Sequence, residues 1–543
     1  MAELTQQTKK LISQYQIWHQ SLQKKEGIST IHVDEVASKV AAFYEKIRII
    51  VDWKEEHLMR RAMIIRKLKR RFLEIDFKNP SLENKIAEPL ILELIRGGHF
   101  PNDSVPESKI DSIQKIINKY LVILRDSPAA ASKREELQFY NWTIEIAACE
   151  IEENLASFRK EKALIEYMFE LMKERIVLSE GIVKKGGLKE RDEDILIYIA
   201  IQQALFKLDN SIISYNLIKY QNPQWTSPSP ELFSDYAKNI FKIWGGIEDY
   251  LSHPLGKKFY TICEKYDTSY LLLGDILTEG DPAEISAKVS QPEVLEELIK
   301  NAYNKRLSTL KGRLFRAAAY STLSVLLTNA LSVAVVEIPL AKWIYGSFSK
   351  SPLLTIGVDI LGPTALMFLM VSTIGLPSKR NLDIVVMETM KIVYPKERLD
   401  TYEIKVPRKK GVITKTIIGF IYLLAATISF GFIYFIFRLA KFPITSVIIN
   451  ILFVALIISA GLAVKKRGEE LTIEEKKGGI AGFIFDIFSL PVAGTGRWLS
   501  NKWKRYNAIA AFFNALIDMP FTIFVEFLEQ WRFFLKEKKE EIH

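Results

Sequence analysis

Cysteine is nearly missing from this chain, with two in 543 residues. Cys149 and Cys263 stand far apart and belong to no Cys-x-x-Cys or Cys/His spacing. That argues against a disulfide framework or a zinc site and fits a reducing compartment. Histidine is scarce too: His19, His32, His57, His99 and His253 are dispersed and form no His-Glu-x-x-His or other ligand pair. There is no G-x-x-x-x-G-K-S/T phosphate loop and no G-x-S-x-G nucleophile turn. Gly494-Thr495-Gly496 is an isolated pair of glycines after a proline, without the flanking strand a dinucleotide site needs. Met1 to Trp18 lack an apolar stretch of signal-peptide length, so export of the first half is not expected. No metal, no cofactor and no enzymatic chemistry is expected.

What the chain has is a sharp division. Charged sequence with helical periodicity runs to about residue 316, and long apolar runs follow. Four runs have the length a hydrocarbon core demands, about 20 apolar residues. They are residues 317–345, 352–376, 416–437 and 443–464, and the last two contain no charge at all. Inside lipid every backbone N–H and C=O needs an internal partner, so these runs are expected to be helices. The predicted fold is therefore all-α, with an N-terminal helical region, four transmembrane helices over 317–464, and amphipathic helices at the C-terminus.

Basic flanks orient the runs. Lys305, Arg306, Lys311, Arg313 and Arg316 precede the first, and Lys465, Lys466 and Arg467 follow the fourth. The connection 377–415 is rich in lysine and arginine, while the two short turns hold only Lys342 and Lys350, and Arg438 and Lys441. By the positive-inside rule both termini and the long connection are expected in the cytoplasm, in a multi-pass protein of the cytoplasmic (inner) membrane. The net charge of +10 then follows from such flanks. Anionic lipid at the cytoplasmic face is the expected partner, and nucleic acid is not.

The first half divides at Pro/Gly/Ser punctuation, giving helical regions at 1–186 and 187–289. Lys133 to Leu178 fit long antiparallel helices, in a bundle or a coiled coil. Ser290 and Glu293 read as a capping box that starts a helix over 290–316, running on into the first span. In the connection a short helix is expected over 382–392, then a small hairpin of 402–406 with 412–415. The tail, 465–543, reads as amphipathic and interfacial, with Arg497, Trp498, Lys502, Trp503, Lys504 and Arg505 as a headgroup-facing patch. A fifth span through 506–525 is the alternative, as is a helical hairpin packed on the soluble region.

The polar residues inside the runs draw the most notice. Glu337 and Asp359 flank the first turn at similar distances, which puts both roughly 12 Å inward at 1.5 Å of rise per residue. Asn450 falls at a similar depth, and Tyr434 lies nearer the outer end of the third run. Charge inside a span usually faces protein or water and often marks an ion or proton path. The plainer reading ends the span at Glu337, near Lys342, and makes Asp359 a packing residue. In the first half, Arg60, Lys67 and Arg71 share one helical face that would suit lipid phosphates, or simply solvent. The expected role is an interaction or assembly platform at the membrane, with a protein partner or a second copy of the chain. The alternative is an oligomeric ion or proton channel or transporter using Glu337 and Asp359.

Overall fold

Five of the described helices start where a short polar side chain caps the free N–H groups of the first turn. Thr5 accepts from the Thr8 N–H, Ser132 from Glu135, Asp209 from Ile212, Ser229 from Leu232 and Ser378 from Asn381. Pro230 follows its cap at the first helical position, where a missing N–H costs nothing.

The computed structural model describes residues 3–22, 29–33, 56–73, 85–97, 99–179, 190–281, 284–346, 352–372, 374–394, 400–405, 411–439, 442–474 and 480–505, with 527 and 531. These residues are almost entirely helical. In the polar half the helices are α1 (Gln6–Ser21), α2 (Glu56–Leu73), α3 (Ala87–Arg96), α4 (Ser108–Asp126), α5 (Lys133–Leu155) and α6 (Arg159–Arg175). After strand β1 (Ile176–Leu178) come α7 (Glu190–Phe206), α8 (Asn210–Gln221), α9 (Pro230–Leu251), α10 (Gly256–Glu279) and α11 (Ile285–Val289). Next is α12 (Pro292–Ser332), which passes through a π-helical turn (Val333–Glu337) straight into α13 (Ile338–Tyr345). Then follow α14 (Pro352–Ser372), α15 (Lys379–Val393), strand β2 (Tyr402–Ile404), α16 (Val412–Leu439), α17 (Ile444–Gly468) and α18 (Ile480–Arg505).

The polar half has two apolar cores that interleave in sequence. One is built from α2 to α5, α8 and α9, around residues such as Leu68, Ile117, Ile146 and Ile240. The other joins α1, α6, α10 and the lower part of α12 to α15, and also takes in Ile404, Leu471 and Ile473. Helix α7 serves both, with Ile195 and Ile199 facing one core and Leu196 and Ile201 the other. The boundary expected at residue 186 lies outside the described residues. Helices α5 and α6 belong to different cores, so the antiparallel pair expected over 133–178 does not form.

Two further expectations are corrected. The Ser290 hydroxyl turns back to the Ser286 carbonyl, and α12 begins after Gln291 with Pro292 in its first turn, so no capping box forms. The hairpin is absent because Val412–Lys415 open helix α16. Instead β2 pairs in parallel with β1, Ile176 opposite Tyr402 and Leu178 opposite Ile404. Buried Arg175 fastens this junction, donating to Glu388 at 3.2 Å, to the Tyr402 hydroxyl at 2.6 Å and to the Asp400 carbonyl at 3.3 Å.

Segments that follow the apolar helices thus return to the polar half. Asn381, buried on α15, donates to the Tyr303 hydroxyl (2.9 Å) and the Leu471 carbonyl (2.7 Å) and accepts from the Ile473 N–H (2.8 Å). Thr5 N–H donates to Val393 O, Tyr167 to Ile392 O and Tyr394 to Val289 O.

Three described helical stretches are long and apolar enough to cross a membrane: Pro292–Ile344, Val412–Leu439 and Ser446–Gly468. Of the run expected over 352–376, the described apolar stretch Asp359–Ser372 is shorter. On α16 large side chains face outward, Phe420 65 % and Phe435 62 % exposed, a surface suited to lipid and not to water. Helices α14 and α17 run side by side in parallel: Asp359 meets Asn450, Met370 meets Gly461, and Ile374 meets Gly468. Helix α18 packs on α16 and α17. A Cβ at Gly496 would lie 2.0 Å from the Ala455 carbonyl oxygen, so only glycine permits this approach of two backbones.

Candidate functional site

Two prolines prepare the polar cluster in the apolar bundle. Pro363 lies inside α14 and has no N–H to give the carbonyl four residues before it, which belongs to Asp359. That carbonyl accepts instead from the Asn329 side chain of α12, at 2.8 Å. Pro339 follows the π-helical turn, where the Ile338 N–H reaches back to the Val333 carbonyl. The wider turn accommodates the proline ring and ends on Glu337.

Glu337 and Asp359 are both buried, 3 % and 1 % exposed. The two carboxyls are neighbours, and Ser446 lies beside Glu337. Asn450 donates to Asp359 Oδ1 at 2.6 Å and to the Ser446 carbonyl at 3.0 Å. No N–H or hydroxyl among the described residues donates to Glu337 Oε2 or Asp359 Oδ2. Two neighbouring carboxyls in an apolar bundle carry a heavy electrostatic cost if both are charged. Lys342 is exposed, so it does not supply the balancing charge. Chemically, the arrangement gathers two carboxyls and the Asn450 amide at one place, the groups that proton or cation handling inside a bundle requires.

The structure brings together Glu337, Asp359 and Asn450, which the sequence set at one depth. Tyr434 is not with them; it stands on α16, 46 % exposed. Two members escaped sequence reading, Asn329 and Ser446. Both carry a helical signal, since Ser446 lies one turn before Asn450, and Asn329 lies two turns before Glu337 on the same face.

The other candidates are dispersed. Lys67 and Arg71 share Glu93 on α3, at 2.7 and 3.1 Å, and Arg60 covers the Phe100 ring at 4.9 Å. Their neighbour Arg61 is buried against Asp209. On α18, Arg497, Trp498 and Lys502 are exposed; the side chains of Trp503, Lys504 and Arg505 lie outside the described residues, as does the stretch 506–525. Among the described residues no three His, Cys, Asp or Glu side chains gather as metal ligands.

Set against known proteins, the chain matches no family model, no curated protein and no solved structure.

Proposed function

We propose that the chain is a multi-pass membrane protein whose large helical half serves as an interaction or assembly platform on the cytoplasmic face. One observation carries this reading: Asn381 ties α15 and the segment after α17 to Tyr303 of α12. Leu4, Tyr270 and Leu310 share one apolar core with Val385, Ile392, Ile404, Leu471 and Ile473, which puts these segments on one side of the bilayer. The stretches between them then leave and return as two hairpins, α12–α14 and α16–α17, giving four spans. The parallel run of α14 and α17 agrees, because both would be returning strokes. A platform on such a base is fixed in orientation rather than tethered. Exposed Arg497, Trp498 and Lys502 suit the headgroups of anionic lipid beside it.

Single cysteines introduced at Asp400, Glu469 and Lys9 test the topology. Both native cysteines are buried, so background labelling is low. All three sites should react with a membrane-impermeant maleimide from the cytoplasmic side only, and labelling of any one from the opposite side overturns the four-span arrangement.

A second reading is favoured by the Glu337–Asp359 contact, which suits a proton or cation route through an oligomer. Vesicles holding the full chain separate the two. Under the platform reading their proton and cation permeability equals that of protein-free vesicles. Permeation that is lost in Glu337→Gln or Asp359→Asn would establish the route instead.

A further inference from the structure

The polar half contains a cleft that neither reading uses. It lies between α4, α5, α8 and the loop 222–229, with a volume of about 1040 Å³. A second cavity of about 670 Å³ shares Glu153, Lys162, Tyr215 and Lys219 with it, so the two adjoin across these side chains. The combined space suits a ligand of drug-like size or larger.

Four lysines line the first cavity, Lys115, Lys119, Lys162 and Lys219, against two carboxylates, Glu150 and Glu153. Both carboxylates are engaged in the wall. Glu150 holds the Lys119 ammonium at 2.5 and 2.7 Å and accepts from the Tyr120 hydroxyl at 2.6 Å, which in turn accepts from the Trp225 indole at 3.1 Å. Glu153 holds Lys219 at 2.6 Å through both oxygens and accepts from the Tyr215 hydroxyl at 2.5 Å. Burial pulls the Lys119 and Lys219 ammonium groups below the ordinary lysine value despite their glutamates, so an arriving anion would relieve both. Lys115 and Lys162 are exposed and form no ion pair among the described residues. The second cavity carries aromatic rings on its walls together with the carboxylates Glu161, Glu166 and Glu170. Tyr198 and Tyr220 stack at 5.2 Å and 24°, and Phe169 meets both edge-on.

We propose that this double cleft binds a soluble phosphorylated ligand bearing a planar ring, of the nucleotide class. The phosphates would lie on Lys115 and Lys162, beside the braced Lys119 and Lys219. The ring would lie against Tyr198 and Tyr220. Lysines present compact charges that match a phosphate chain, and stacked aromatics offer a face to a base.

Titration calorimetry on the full chain in nanodiscs of neutral lipid tests this, with ATP, GTP, inorganic tripolyphosphate and a soluble inositol phosphate as probes. A nucleotide should bind more tightly than tripolyphosphate. Lys115→Ala and Lys162→Ala should each raise its Kd about tenfold, the loss of one charged contact, and leave the melting temperature of the ligand-free protein unchanged. Tyr220→Ala, at a partly exposed ring, should weaken the nucleotide and leave tripolyphosphate untouched. The proposal is overturned if no nucleotide binds at millimolar concentration, or if the double lysine variant binds as the parent does. It is equally overturned if the inositol phosphate binds as tightly as the nucleotide, or if binding appears only with vesicles containing phosphoinositides, which would make a lipid headgroup the occupant.

Discussion

Asn381 and Ile473 stand 92 positions apart in sequence, yet the Ile473 N–H donates to the Asn381 side-chain oxygen over 2.8 Å. The same oxygen accepts from Glu474 at 3.1 Å, and the amide nitrogen serves Tyr303 and Leu471. Asn381→Ala leaves several buried groups without partners and should lower stability by about 2 to 4 kcal/mol. Thermal melting in detergent measures it, and a variant that melts with the parent would show that the tie contributes nothing.

The carboxyl pair in the bundle invites a double-mutant cycle. Glu337→Ala and Asp359→Ala each remove one side of a buried contact, so their effects should not add, with a coupling of about 1 to 3 kcal/mol. Glu337→Gln should be milder, because its amide can still donate to Asp359. Additive losses in the cycle would mean that the two side chains act separately.

Asp267, buried on α10 beside Thr268, Glu264 and Lys207, predicts a pH effect. Burial pushes its carboxyl up from 3.8 to about 7, against the nearby Lys207 ammonium. A raised folded value means that the folded state holds the proton more tightly than the unfolded chain. This stabilisation is fully present below about pH 4, the unfolded value, and is lost as pH rises through about 7. Asp267→Asn should therefore flatten the pH dependence of the melting temperature over that window and gain on the parent at pH 8. Parallel profiles for parent and variant would rule this out.

Gly496 is a steric probe of the α17–α18 contact. Gly496→Ala places a methyl against the Ala455 carbonyl and should cost at least about 2 kcal/mol as the helices are forced apart. Gly494→Ala is the control, since its Cβ meets only the end of the Tyr422 side chain, at 3.2 Å. Equal melting temperatures for the two variants would remove the argument for close packing.

Much of this architecture is legible in the residues, and the illegible parts share a cause. Apolar runs announce α12, α16 and α17 because lipid demands length and uncharged composition together. Glu337, Asp359 and Asn450 can be placed at one depth by helical rise alone. Pairing between Val177 and Glu403 cannot be read this way, because three-residue strands carry no period and their partners are 226 positions apart. The β-branched run Val412–Thr414 suggests a strand locally, but it continues into α16 and the longer apolar pattern wins. Ser290 has the residue type of a helix cap, but α11 ends there and claims its hydroxyl. Asn381 is one polar residue on a short amphipathic stretch, and nothing nearby hints that two distant segments converge on it.

The β1–β2 pairing also orders events during synthesis. Residues 379–404 leave the ribosome after α12 to α14, yet Val385, Ile392, Val393 and Ile404 belong to the interior that α1 and α6 began. On the four-span arrangement proposed above, the polar half therefore waits, with an apolar face still open, until the first hairpin has been handed to the bilayer, and insertion of that hairpin becomes a precondition for closing the domain that precedes it.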